Sequence, residues 1–276
     1  FQNRVVTVAV PTGASGPLPI LILVHQRGHT GAVLMNDWQT AGGDRMRPIL
    51  DAHVAVSIDG SNTNNKANED FGWNSDLSAW GWPSDDINLV GTLLVNAMIA
   101  FNNTLDSVKI YAASNGASMT NRIAIQNRDS RITHIAFDCS QLSELQFRNG
   151  VFYQYDLTGT RTTAYATPVA QPPIPRHILI ITGGSDGQIP QEGGASQVED
   201  IEGNKIVYHS WHASALAWAT AFGYAGSALD YEVDDGTSQQ VHYAAQNVRS
   251  TMFAAGGHIF GTSNRVKSVM IAFFTS

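Results

Sequence analysis

The 276-residue chain has a single cysteine, Cys139, so no internal disulfide can brace it. Lysine is almost as scarce: Lys66, Lys109, Lys205 and Lys267 are the whole set. Lysine and arginine together number 16 against 23 aspartates and glutamates, a formal net charge of −7. The basic residues form no run, and nucleic-acid binding needs a basic face that this sequence does not offer. No apolar run approaches the roughly 18 residues of a membrane span; the longest, "PILILV", stops at His25. A glycine-rich phosphate loop and zinc-ligand spacing are also missing, so neither cofactor nor metal is expected. The first position holds Phe1 rather than methionine, and we expect an exported chain that has lost a signal peptide.

What remains is ample material for a core, with 43% hydrophobic and only 14% charged residues. Short apolar runs bounded by turn residues mark strands buried on both faces, at 19–25, 53–59, 108–113, 133–140, 176–183 and 248–258. A β-branched segment at 4–10 precedes them. Helical spacing appears at 84–101, 115–127, 209–223 and 264–274, the first opened by a capping serine and two acids. Alternation of buried strands with helices predicts an α/β fold, a mostly parallel sheet covered on both faces. No repeat or linker interrupts it, so a single domain over 1–276 is expected. Two long irregular stretches, 59–84 and 141–175, are expected to carry function, and whether the second forms a lid is open.

Within "KIYAASNGASM" (109–119) a strand runs directly into a helix around Ser114. Between Ala112 and Gly116 the chain reads A-A-S-N-G, one residue away from the G-x-S-x-G turn that lifts a nucleophilic serine out of a sheet. The other reading is a helix N-cap, a common role for serine. Two further residues favour the first. Asp186 follows the strand "HILIITG", and His258 follows "STMFAA", so an acid and a histidine stand after the serine in the order that fold uses. Asp230, Asp234 and Asp235 compete for the acid's place but follow no apolar strand. Cys139, inside "HIAFDCS", reads as a buried structural thiol, away from any exposed turn or histidine. His209 and His212 fall at a helix start and read as solvated rather than metal-binding.

The ordered set "PILILVHQRG", "FGWNSD", "SDDINLVGTLL", "AASNGASMTNRIA", "GGSDGQIPQEGG" and "GGHIFG" covers nearly the whole chain. It resembles the α/β-hydrolase group of secreted polyhydroxybutyrate depolymerases, feruloyl esterases and acetyl xylan esterases. The resemblance implies Ser114 as nucleophile, His258 as general base and acid, and Asp186 as the residue that orients the imidazole. It implies an oxyanion hole from the Asn115 backbone N–H and a second donor in the turn after "ILILVH". The family usually has His-Gly there, whereas this chain has His25-Gln26-Arg27-Gly28, leaving Arg27 and Gln26 as alternatives. By the same resemblance Trp73 and Asn74 would border the cleft, the other reading of Trp73, Trp80 and Trp82 being that they pin the long loop to the body; Phe260, just past His258, would be another cleft wall. The expected activity is that of a serine carboxylesterase needing no cofactor, with a polyester of the polyhydroxybutyrate type or its oligomers as favoured substrate. Feruloyl or acetyl esters on plant polysaccharide are the alternative within the group, and a catalytically weak binding module is the alternative outside it.

Overall fold

The computed structural model describes residues 4–13, 16–40, 46–62, 71–73, 85–102, 107–156, 164–200, 203–258 and 264–276. Sheet strands are β1 (Val6–Ala9), β2 (Ile20–Val24), β3 (Val54–Ile58), β4 (Val108–Ala113), β5 (Ile132–Asp138) and β6 (His177–Gly183). A hairpin of β7 (Gly194–Glu199) and β8 (Lys205–Tyr208) stands apart from the sheet. Last come β9 (Val233–Asp234), β10 (Ser238–Tyr243) and β11 (Val248–Phe253). The nine strands of the sheet lie in the order β1-β3-β2-β4-β5-β6-β11-β10-β9. From β3 through β11 every pairing is parallel, and the edge pairings with β1, β10 and β9 are antiparallel. The α/β fold with a mostly parallel sheet therefore holds.

The continuous apolar runs have a direct cause. In β2, Ile20, Ile22 and Val24 enter the core on one face, and Leu21 and Leu23 enter the core on the other. A strand buried on both sides cannot alternate apolar with polar residues. Each such fully buried side chain contributes roughly 1.5–3 kcal/mol. Helices α1 (Gly31–Thr40), α2 (Arg47–Asp51) and α6 (Asn264–Phe274) bring residues to the second core. The first core lies under α3 (86–102), α4 (Asn115–Gln126) and α5 (Trp211–Ala221). Helix α3 begins at Asp86–Asn88, capped by the Asp85 carboxylate, and ends as Val95–Asn102.

Several boundaries differ from expectation. The helix expected over 84–101 contains a π-helical stretch, Leu89–Leu94, beside which the Asn127 amide donates to the Gly91 carbonyl at 2.8 Å. Side-chain insertion of that kind is a recognised cause of helix irregularity. The strand expected to reach residue 140 stops at Asp138, because Cys139 turns into the left-handed region at φ 55°. Helices α1 and α2, the β7–β8 hairpin and β10 were not expected. Strand β7 is mostly exposed and polar, so it carries no buried-strand signature.

Candidate active site

The C-terminal ends of the parallel strands converge on Ser114. At φ 49°, ψ −119°, its backbone occupies a region that costs a non-glycine residue about 1–3 kcal/mol. Its N–H donates to the Asp138 carbonyl of the neighbouring strand at 2.8 Å, and its carbonyl accepts from Ser118 N–H at 3.0 Å. Those two bonds hold the strained turn. The N-cap reading fails here, since the Ser114 hydroxyl makes no capping bond. It lies instead 2.8 Å from His258 Nε2. Gly116 is what lets helix α4 start this close to the sheet: a Cβ there would sit 2.4 Å from the His25 carbonyl oxygen and 2.9 Å from Val24 Cγ1.

His258 follows β11 on a turn tied to the acid's loop by Ser185 N–H donating to the Gly256 carbonyl at 2.7 Å. Its Nδ1 lies 2.7 Å from Asp186 Oδ2. The other carboxylate oxygen, Oδ1, accepts the backbone N–H groups of Gln188 at 2.8 Å and Ile189 at 3.0 Å. Asp186 is thus held on both oxygens, with a side chain only 2% exposed. With Nδ1–H donated to Asp186, the Nε2 lone pair faces the serine hydroxyl. The structure therefore brings together all three residues that the sequence selected.

The "HQRG" segment has its own logic. His25 Nε2 accepts Gly60 N–H at 2.8 Å, which places the ring proton on Nδ1, where it is donated to the Gln26 carbonyl at 2.7 Å. Burial lowers the His25 pKa to about 4, so this neutral tautomer persists at neutral pH. His29 N–H closes a turn onto the same Gln26 carbonyl at 3.3 Å, with Gly28 at φ 75° in the turn's third position. That position demands a left-handed residue, so the glycine is needed here, two places further along than a His-Gly pattern would put it. The turn presents Arg27 to a cavity of about 140 Å³ that Ser114 and Asn115 also line. Gln26 does not line it; its side chain instead pairs with His29 Nδ1 at 3.0 Å.

Trp73 needs correcting. It is fully buried and does not border the cavity. Its indole N–H donates to the His25 carbonyl at 2.8 Å, and its backbone N–H and carbonyl pair with the Asn115 side chain at 2.7 and 3.2 Å. A tryptophan can satisfy its one donor while its rings fill core, and here Trp73 ties residues 71–73 to His25 and Asn115. Asn74 and Phe260, with Trp80 and Trp82, lie outside the described residues. His209 and His212 are half-buried rather than solvated, each with Nε2 on a carbonyl, of Phe147 at 2.6 Å and Leu229 at 2.9 Å. Cys139 is buried as expected, yet its surroundings are not those expected. It sits on a left-handed turn, with its sulfur within 4.8 Å of ligand atoms of both Asp186 and His258.

The sequence reading missed most of the cavity wall. Gln197, Val198, Glu199 and Tyr208 come from the β7–β8 hairpin, joined by Gln188 and Ile189 from the acid's turn. The "SDGQIPQEGG" motif could have pointed to the last two; nothing in the pattern of the hairpin pointed to the rest. The described part of 141–175 does not line this cavity. It packs beside it, pairing Ser143 with Tyr208, and borders a separate apolar cavity of about 550 Å³ against α5.

No protein-family model matches the chain, and no curated protein matches it. Solved structures do. The acetyl xylan esterase from Aspergillus awamori is 13% identical at a TM-score of 0.61, with 98% of this chain and 94% of that one aligned. A Bacillus cereus carboxylesterase is 11% identical at 0.55, covering 99% and 94% of the two chains. Zea mays acyl-protein thioesterase 2 is 10% identical at 0.53, covering 98% of each. At such identities the likeness is one of fold, and the fold is that of the α/β-hydrolases.

Proposed function

We propose that this chain is a serine carboxylesterase in which Ser114, His258 and Asp186 form the catalytic triad. One observation carries the reading: a continuous line from Ser114 Oγ to His258 Nε2 at 2.8 Å and from His258 Nδ1 to Asp186 at 2.7 Å, ending at a cavity. Ser114 Oγ attacks the ester carbonyl as its proton passes to His258 Nε2, and Asp186 stabilises the resulting imidazolium. The carbonyl oxygen takes the negative charge between the backbone N–H groups of Asn115, at the α4 N-terminus, and Arg27. His258 returns the proton to the leaving alkoxide. Water, deprotonated by the same ring, then releases the acid from the acyl-enzyme.

The cavity narrows the substrate. About 140 Å³ is well below the roughly 300 Å³ at which pockets for drug-sized ligands begin, and its wall includes Gln188, Gln197 and Glu199. A short, partly polar acyl group fits best, as in a hydroxybutyrate polyester or its oligomers acted on outside the cell. Acetyl esters are the second reading, favoured by the same small volume and by the likeness to an acetyl xylan esterase. The small volume favours a feruloyl group least of the three.

The test is hydrolysis of nitrophenyl acetate and butyrate by the wild type and Ser114→Ala, with polyhydroxybutyrate film and methyl ferulate alongside. Activity that vanishes in the variant supports the triad, and the preferred natural ester selects the substrate. Wild-type activity retained by Ser114→Ala overturns the mechanism. A wild type inert on every ester points to a binding module.

A further inference from the structure

Behind the triad lies a second buried carboxyl group. Asp138, the last residue of β5, is fully buried. Its Oδ2 accepts from the Tyr111 hydroxyl at 2.7 Å and its Oδ1 from the Cys139 thiol at 3.1 Å. The charges that act on it are His258 and Asp186; Asp37 acts on Tyr111 from α1. Among the described residues no lysine or arginine pairs with it. Burial pushes its carboxyl above the usual carboxylate range, a rise that the Tyr111 and Cys139 donors reduce but do not cancel. A buried carboxylate without a cation is costly, and such groups gather at functional sites.

The surrounding geometry is held firmly. The Asp138 carbonyl fixes the strained Ser114 turn, and Cys139 N–H donates to the Ile181 carbonyl at 2.9 Å. The left-handed turn at Cys139 leaves its sulfur on Asp138 Oδ1 on one side and within 4.8 Å of His258 and Asp186 on the other. The positive charge that acts on Asp138 is therefore that of the His258 imidazolium, the species formed when the ring takes the proton from Ser114. We propose that Asp138 is a second acid behind the triad, a positioning residue that stabilises the His258 imidazolium across the Cys139 thiol. The inference rests on the triad reading above. The proton still moves only from Ser114 Oγ to His258 Nε2; Asp138 supplies field and neither gains nor loses a proton in the step.

If Asp138 served only to satisfy the buried Tyr111 hydroxyl, its loss would leave the titration of His258 in place. The test is Asp138→Asn, close to isosteric, read in two ways. The first follows the His258 ring protons by NMR through a pH titration, which needs no substrate. The second measures kcat and KM for nitrophenyl acetate across the same range. The titration midpoint is expected to fall by about half to one unit, since the cation has lost a partner. In step, kcat falls roughly threefold to tenfold with KM unchanged. Cys139→Ala shifts the midpoint the same way but less. An unmoved midpoint in folded Asp138→Asn overturns the proposal; should that variant not fold, an unmoved midpoint in folded Cys139→Ala does so. A wild type without esterase activity sinks the triad reading alone, and the titration still decides the coupling.

Discussion

The two ends of the sheet use the same kinds of residue to opposite effect. At the C-terminal ends of the strands, His258 meets the Asp186 carboxylate with the Cys139 thiol close by and Asp138 beyond it, and backbone strain is stored at Ser114 and Cys139. At the N-terminal ends, His53, His134 and His177 gather around the buried Lys109, with His134 stacked on His177 at 4.1 Å. Burial, with Lys109 adding to it, lowers their pKa values, to about 4 for His53 and about 3 for His134. Lys109 is spent on the Phe274 carbonyl at 2.5 Å, and Arg176 on carbonyls of Ile132, Ala124, Asn127 and Asp129. A histidine beside carboxylates can accept a proton in the course of a reaction. One buried beside a lysine is kept neutral and serves as core.

The largest effect should come from breaking the reactive end directly. Ser114→Ala is expected to lower kcat/KM on nitrophenyl acetate by about 10⁴-fold or more, and Asp186→Asn by about 10³-fold, with folding intact by circular dichroism. Loss below tenfold in either would mean the chemistry lies elsewhere. Gly116→Ala attacks the packing that brings α4 to the site. Because the added methyl meets the backbone of β2, thermal unfolding should reveal a loss of several kcal/mol, together with lost activity. An unchanged melting temperature would show that the helix can give way at no cost.

The opposite end predicts acid lability. Between pH 6.5 and about 4 the unfolded chain binds protons that native His53 and His134 refuse, so ∂ΔG/∂pH is positive there. Stability is complete above pH 6.5 and is lost as pH falls through that window. His25 contributes likewise, by about 3 kcal/mol for a shift from 6.5 to about 4. Urea midpoints measured from pH 7 to 4 should fall, and the double variant His53→Gln/His134→Gln should flatten the slope. A slope unaltered by the double substitution would remove the N-terminal cluster as its source. The smallest effect expected is on Gln26→Ala. Its side chain only braces His29, and kcat should drop by about twofold to fivefold, measured against Arg27→Ala, whose backbone N–H is retained.

Most of the sheet was legible because doubly buried strands leave continuous apolar runs, and β4 and α6 begin and end where periodicity placed them. Helix α1 was missed although Gly31, Leu34, Met35 and Trp38 are buried at helical spacing and Thr30 caps it, its hydroxyl accepting Val33 N–H at 3.2 Å, because a glycine opens it and no acid or glutamine completes a capping box. The β7–β8 hairpin was missed because an exposed polar strand looks like a loop. Trp73 shows the converse. An aromatic residue near the site reads equally well as cleft wall or as core, and only its 0% exposure decides between them.

By itself the sequence determined the fold class and the order serine, acid, histidine, since both are written in short-range patterns: apolar runs, and polar residues placed just past them. Tertiary structure alone decided whether Ser114 capped a helix or met His258, because those residues are 144 positions apart and only the parallel register of β4, β5, β6 and β11 closes the gap to 2.8 Å. It also decided the cavity's size and the approach of Asp138 and Cys139 to the histidine. Contacts between strand ends leave no periodic trace along a chain, because they depend on which strands become neighbours rather than on what any one strand contains.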